Sequence, residues 1–214
     1  MTSPATFLVM RHGQTELNAA ERWLGWNDSP LTPLGREQAE AAGRALTGRK
    51  IDAAVASDLG RAMDTARLAL AAAGGDSAVL AAGLSPESDL RERHYGDYQG
   101  LSTPEIERLY PGSRFTEGRD TRADWRPPGE HAESLEEVGH RVTALLARLA
   151  AAHAGQTVLA VTHSGVLRVI DAAATGRTLD EIWHRTPPNG AVMEIQADNA
   201  GRLWMVKDFM TGPE

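Results

Sequence analysis

"LVMRHGQTELN", Leu8 to Asn18, is an apolar run that stops abruptly. Phe7 to Met10 read as a short buried strand, and a cation, an imidazole and a glycine end it within three residues. Strand ends in α/β sheets are where ligands are bound, so Arg11-His12-Gly13 reads as chemistry. By itself the triplet reads equally as a turn with two polar residues facing water, since short motifs match by chance. The residues that the rest of the chain brings beside it decide between the two.

The 214 residues suffice for one core, and 42% apolar with 24% charged residues is the composition of an ordinary globular protein. Cysteine is absent, which excludes disulfides, thiolate zinc sites and cysteine nucleophiles. "MTSPATFLVMRHG" has no basic leader before a long apolar segment, and no apolar stretch reaches the ~18 residues of a membrane span. A cytoplasmic protein with no membrane partner is expected. The net charge of −7 argues against a nucleic-acid surface but not against a small anionic substrate, because local charge in a cleft outweighs the total.

Periodicity alternates between strand and helix. Thr32-Pro33 start a helix through about Leu46, with Leu34, Ala42 and Leu46 facing inward. Ile51–Ser57 read as a second strand, and Ser57 as the cap of a helix burying Leu59, Ala62, Met63, Ala66 and Leu70. Ser134 opens a capping box "SLEE" and a long helix with Leu135, Val138, Val142, Leu145, Leu146 and Leu149 as its stripe. Thr157–His163 form a third strand with a helix from about Gly165, and the chain closes on a hairpin around Asp198–Gly201. The expected fold is α/β: a three-layer α/β/α sandwich on a mostly parallel, doubly wound sheet, one domain over residues 1–214. The polar segment from about 85 to 133, with one short helix near Ser102 or Thr103, reads as an insertion over the C-terminal strand ends, a lid on the site.

In such a sheet Arg11-His12, Arg61 and His163 share one edge, so two guanidinium groups and two imidazoles surround one small volume. Guanidinium forks match phosphate oxygens, and the volume suits a dianion. A neutral imidazole is a competent nucleophile near pH 7 and can accept a phosphoryl group. The leaving alkoxide needs a proton, for which "DLRERHYGDYQG" offers Glu92, with Asp89 or Asp97 as the alternatives. His94, His131, His140, His153 and His184 lack paired metal-ligand spacing, and no metal site is expected. Trp125, Trp183 and Trp204 read as core or lid packing.

"RHGQTELN", "PLTPLGREQA", "SDLGRAMDTA", "LRERHYGDYQG" and "VTHSGVLR", in this order, resemble the histidine phosphatase superfamily, also called the phosphoglycerate mutase-like family. The resemblance implies that His12 accepts the phosphoryl group and that Arg11, Arg61 and His163 complete its pocket. It places Glu92 at the proton donor and Asn18 at a contact of the transferred group, with Gly25, Tyr95 and Ser164 also against the substrate. The family uses no metal, so no cofactor is expected beyond 2,3-bisphosphoglycerate in the mutase case.

The family divides into phosphomonoester hydrolases and mutases. "GWND" at Gly25–Asp28 and "ERHYG" at Glu92–Gly96 look like the mutases. Against that, Thr103 stands where they carry lysine and Gly165 where they carry asparagine. Arg119, Arg122 and Arg126 are dispersed where they have an adjacent pair, and Leu24 replaces a hydroxyl or amide. "RPPGEHAESLEE" resembles the phosphatase branch's Pro-Gly-Glu-Ser segment with His131 and Ala132 extra. The expectation is a phosphatase of a small phosphorylated metabolite, with a phosphoglycerate mutase as the alternative and a silent phosphate-binding scaffold behind both. The arginines of the insertion, Arg114 included, are by default solvated. Oligomeric state is not legible.

Overall fold

A computed structural model describes residues 3–74, 83–112, 123–178, 181 and 186–210. Strand β1 (Ala5–Arg11) lies inside the sheet because it is apolar on both faces. Phe7 and Val9 face one layer, Leu8 and Met10 the other, and all four are fully buried. Around it stand β2 (Ala53–Ala56), β3 (Ser85–Pro86), β4 (Thr157–Thr162), β5 (Val192–Ala197) and β6 (Leu203–Met210), in the order β3-β2-β4-β1-β5-β6. The strands from β3 to β1 in that order pair in parallel. The closing hairpin β5–β6 adds to β1 antiparallel.

Helix α1 (Glu16–Ala19) is a single turn after β1. Helices α2 (Pro33–Ala45) and α3 (Gly60–Ala72) cover one face, where Ala42, Leu46, Ala62 and Ala66 meet Leu8, Met10, Leu159 and Val161. After the short α4 (Thr103–Leu109), α5 (Leu135–Ala152) and α6 (Ser164–Thr175) cover the other. There Val138, Val142, Leu145, Val166 and Ile170 pack on Phe7, Val9, Val158 and Ile195. The expected three layers follow. The capping signals hold where they are local: Thr32 accepts from Gly35 N–H, and Ser134 and Glu137 exchange both capping-box bonds.

Three expectations need correction. Leu34 is 48% exposed, and Gly35 and Ala39 face inward instead. The register of α2 is set by backbone contact, since a Cβ on Gly35 would run into the Gln14 carbonyl and one on Gly13 into the Gly35 carbonyl. Ser57 does not cap α3. The N-cap is Leu59, without a side-chain bond, and the first turn is capped from a distant loop by Asp28, whose carboxylate accepts from Gly60 N–H at 2.6 Å. The segment after residue 83 is also more than an insertion, because β3 pairs with Val55 and Ala56 and extends the sheet. Arg114, Arg119, Arg122, Trp183 and His184 lie outside the described residues. Among the described residues no helix is long and apolar enough to cross a membrane.

Candidate active site

The parallel register of β1 and β4 sets Arg11 opposite Thr162, and His12 N–H donates to the Thr162 carbonyl at 2.9 Å. The next residues on the two strands, His12 and His163, therefore meet with ring centroids 5.1 Å apart. Gly13 N–H donates to Thr65 Oγ1 at 3.0 Å, and that hydroxyl donates to the Arg61 carbonyl at 2.7 Å. The strand end and the first turn of α3 are thus joined through one threonine, and Arg61 comes to the same edge. Arg11, His12 and Arg61 line a cavity of about 250 Å³.

His12 Nδ1 lies 2.7 Å from the Gly13 carbonyl. A carbonyl only accepts, so Nδ1 carries the proton and Nε2 keeps its lone pair. Burial first, then the Arg61 and Arg11 charges, holds the His12 imidazole well below its ordinary value, and the ring is neutral at pH 7. His163 is fully buried and neutral for the same leading reason, with Arg61 next. Burial pushes Arg11 down to about 10, which leaves it cationic at neutral pH.

Both ring nitrogens of His163 and the Nε of Arg11 and of Arg61 are buried without a hydrogen-bond partner among the described residues. Terminal guanidinium nitrogens beside them are engaged: Arg11 Nη1 by the Pro187 carbonyl at 2.5 Å, Arg61 Nη1 and Nη2 by the Asn27 and Gly25 carbonyls at 2.9 and 2.7 Å. An unsatisfied buried donor costs about 1–3 kcal/mol, and the two Nε–H groups with the one N–H of neutral His163 offer three such donors, an arrangement suited to an acceptor-rich anion.

Glu92 lies on the cavity wall, 8% exposed. Its Oε1 accepts from Arg93 N–H at 2.8 Å and its Oε2 from Gly165 N–H at 3.1 Å, in the first turn of α6. A Cβ at Gly165 would overlap Glu92 Oε1, so a side chain there would displace the carboxylate. Neither alternative acid reaches the cavity. The Asp89 carboxylate pairs with Arg148 at 3.3 Å, and Asp97 packs against Gly129 and bonds the Tyr110 hydroxyl.

Asn18, Gly25, Tyr95 and Ser164 line the cavity, as expected from their motifs. Asn18 is fixed by a reciprocal pair of bonds with Thr15, each 3.2 Å. Tyr95 is buried edge-on against Trp23 at 5.0 Å. Burial and the Glu92 charge raise its phenol far above the ordinary value, so it stays protonated. Glu21, Arg22, Trp23 and Arg168 also line the cavity, and sequence reasoning missed them. Arg168 lies one helical turn beyond Ser164, a spacing that could have revealed it. No local pattern marks Arg22 and Trp23, which are placed by long-range bonds to Glu105 at 2.9 Å and to Thr103 Oγ1 at 3.2 Å. Arg126 pairs with Glu137 and is not part of this wall. No group of three potential ligands that could hold a metal ion occurs among the described residues.

The two neutral histidines make stability depend on pH. The unfolded chain protonates them near 6.5 whereas the fold does not. Below that value the unfolded state binds more protons, so stability, complete above it, falls by about 1.4 kcal/mol per pH unit for each histidine. Urea unfolding at pH 7.5, 6.5 and 5.5 is expected to show this drop. A flat profile would mean that both rings titrate normally.

A family model described as the histidine phosphatase superfamily (branch 1) matches residues 7–208. A glucosyl-3-phosphoglycerate phosphatase of Mycolicibacterium vanbaalenii is 38% identical over 180 residues, 81% of this chain and 75% of that protein. A 2,3-bisphosphoglycerate-dependent phosphoglycerate mutase of Sinorhizobium fredii is 33% identical, covering 91% of this chain and 92% of its own. Among solved structures, a mycobacterial glucosyl-3-phosphoglycerate phosphatase complexed with VO3 superposes with a TM-score of 0.81 at 29% identity, over 97% of this chain and 99% of the other.

Proposed function

The chain belongs to the histidine phosphatase superfamily, and on that premise we propose that it is a metal-independent phosphomonoester hydrolase working through a phosphohistidine. The observation that carries the reading is the set of unpartnered nitrogens of Arg11, Arg61 and His163 gathered around a neutral His12, with Glu92 on the same wall. His12 Nε2 attacks phosphorus and the bond to the ester oxygen breaks. Glu92 gives its proton to the departing oxygen, while Arg11, Arg61 and Asn18 hold the remaining oxygens and the buried His163 packs against the His12 ring. Water then attacks phosphorus, Glu92 takes its proton, and the phosphorus–nitrogen bond breaks to release phosphate. The arginines supply the neutralising charge that a metal would otherwise bring.

Small phosphorylated metabolites are the substrates, and the wall beyond the phosphate narrows the class. Arg168 adds positive charge to a wall that also holds Trp23, Tyr95 and the Glu105-paired Arg22, which suits a leaving alcohol bearing a carboxylate and hydroxyl groups. Phosphoglycerates and their glycosides have that chemistry, in keeping with the names of the phosphatase relatives. Residues 85–133, as far as they are described, supply Glu92 and Tyr95 to this wall, consistent with a lid within one domain.

Hydrolysis is favoured over transfer at two positions. Thr103, where the mutases carry lysine, accepts from the Trp23 indole, and Gly165 has no side chain to hold a substrate carboxylate. With 3-phosphoglycerate and 2,3-bisphosphoglycerate in EDTA-containing buffer, phosphorus NMR is expected to show inorganic phosphate released and little interconversion of the 2- and 3-isomers. Isomer exchange outrunning phosphate release would make the protein a mutase. Activity abolished by the chelator and restored by a divalent ion would overturn metal independence.

A further inference from the structure

The mechanism assigns no role to Gly25-Trp26-Asn27-Asp28, yet the polar groups of this loop converge on two residues that have one. The Gly25 and Asn27 carbonyls and the Asp28 carboxylate hold the terminal nitrogens of Arg61, at 2.7, 2.9 and 3.3 Å. From the middle of the same loop, the Trp26 indole N–H donates to the Glu92 carbonyl at 2.8 Å. The indole is itself fixed. The Arg91 guanidinium lies over it at 4.5 Å while forked onto Asp58 at 2.7 and 2.6 Å, and Trp26 N–H donates to Gln99 Oε1 at 2.6 Å.

We propose that this loop is a positioning element that serves both halves of the site. Asp28 sets Arg61 against the phosphoryl group, and Trp26 sets Glu92 against the leaving oxygen. The proposal rests on the roles assigned above to Arg61 and Glu92. Holding Arg61 by both terminal nitrogens fixes the plane of the guanidinium and leaves its Nε as the unpartnered donor. Trp26 acts on Glu92 through the main chain, where Arg141 Nη2 also donates to the same carbonyl at 3.0 Å. Four consecutive residues therefore set the distance between phosphate grip and acid, which otherwise would depend on two separate chain segments.

The test uses Trp26→Phe, Asp28→Asn and Glu92→Gln in the full chain. Phenylalanine keeps a ring under Arg91 and removes only the indole donor. Asparagine keeps a capping oxygen for α3 and removes the charge facing Arg61. One readout is the ratio of kcat/KM for glycerol 2-phosphate, whose alkoxide needs a proton, to that for p-nitrophenyl phosphate, whose phenolate leaves unaided. The other is the dissociation constant of orthovanadate. Trp26→Phe is expected to lower the ratio about tenfold and leave vanadate affinity unchanged, the loss of one aligning bond. Asp28→Asn is expected to weaken vanadate about tenfold and leave the ratio unchanged.

Both readouts are independent of the folded fraction, so a merely destabilised variant does not imitate them. An unchanged ratio in Trp26→Phe, or unchanged vanadate affinity in Asp28→Asn, overturns the proposal. If Glu92→Gln still lowers the ratio in that case, the acid assignment survives and only the loop's role falls. If Glu92→Gln leaves the ratio unchanged, the acid assignment fails and takes the Trp26 half with it.

Discussion

His12→Ala is expected to lose at least about 10³-fold in turnover on every phosphomonoester, because the covalent route disappears with the imidazole. The size follows from how singular the group is. Its Nδ1 proton is committed to the Gly13 carbonyl, its Nε2 lone pair is available at neutral pH, and it lines the cavity with Arg11 and Arg61. His163 cannot substitute, since it is fully buried and does not line the cavity. Alanine leaves the arginines in place, so the variant should still bind phosphate. A quenched reaction of the unaltered protein should carry acid-labile phosphate on His12 by mass spectrometry. Phosphate found on His163 would reverse the two assignments.

Glu92→Gln is expected to cost about 10²–10³-fold in kcat/KM for alkyl phosphates and roughly tenfold or less for p-nitrophenyl phosphate. The residual loss on the activated ester has a structural source. Both carboxylate oxygens accept backbone N–H groups, from Arg93 and Gly165, and an amide can satisfy only one of them. The second N–H then faces an NH2 group, so the side chain shifts even where no proton is needed. The difference between the two substrates isolates proton donation from that shift. Equal losses on both would leave Glu92 a purely positional part.

What the sequence determined by itself is what depends on near neighbours along the chain. The two-sided apolar run of β1, the Thr32-Pro33 start of α2 and the Ser134–Glu137 capping box are set within about four residues, and all appear as read. His12, Arg61 and Glu92 each sit in a short motif, and the fold brings these motifs to one cavity, with His163 beside His12 but behind the wall. Tertiary structure alone decided the matters settled by residues far apart. Asp28 rather than Ser57 caps α3, from 32 positions away, because a folded loop presents its carboxylate to Gly60 N–H. Glu92 rather than Asp89 or Asp97 lines the cavity because Gly165 has room for it, while Arg148 and Tyr110 engage the other two. Arg22 and Trp23 join the wall through Glu105 and Thr103, about 80 residues on, a pairing that no local periodicity encodes.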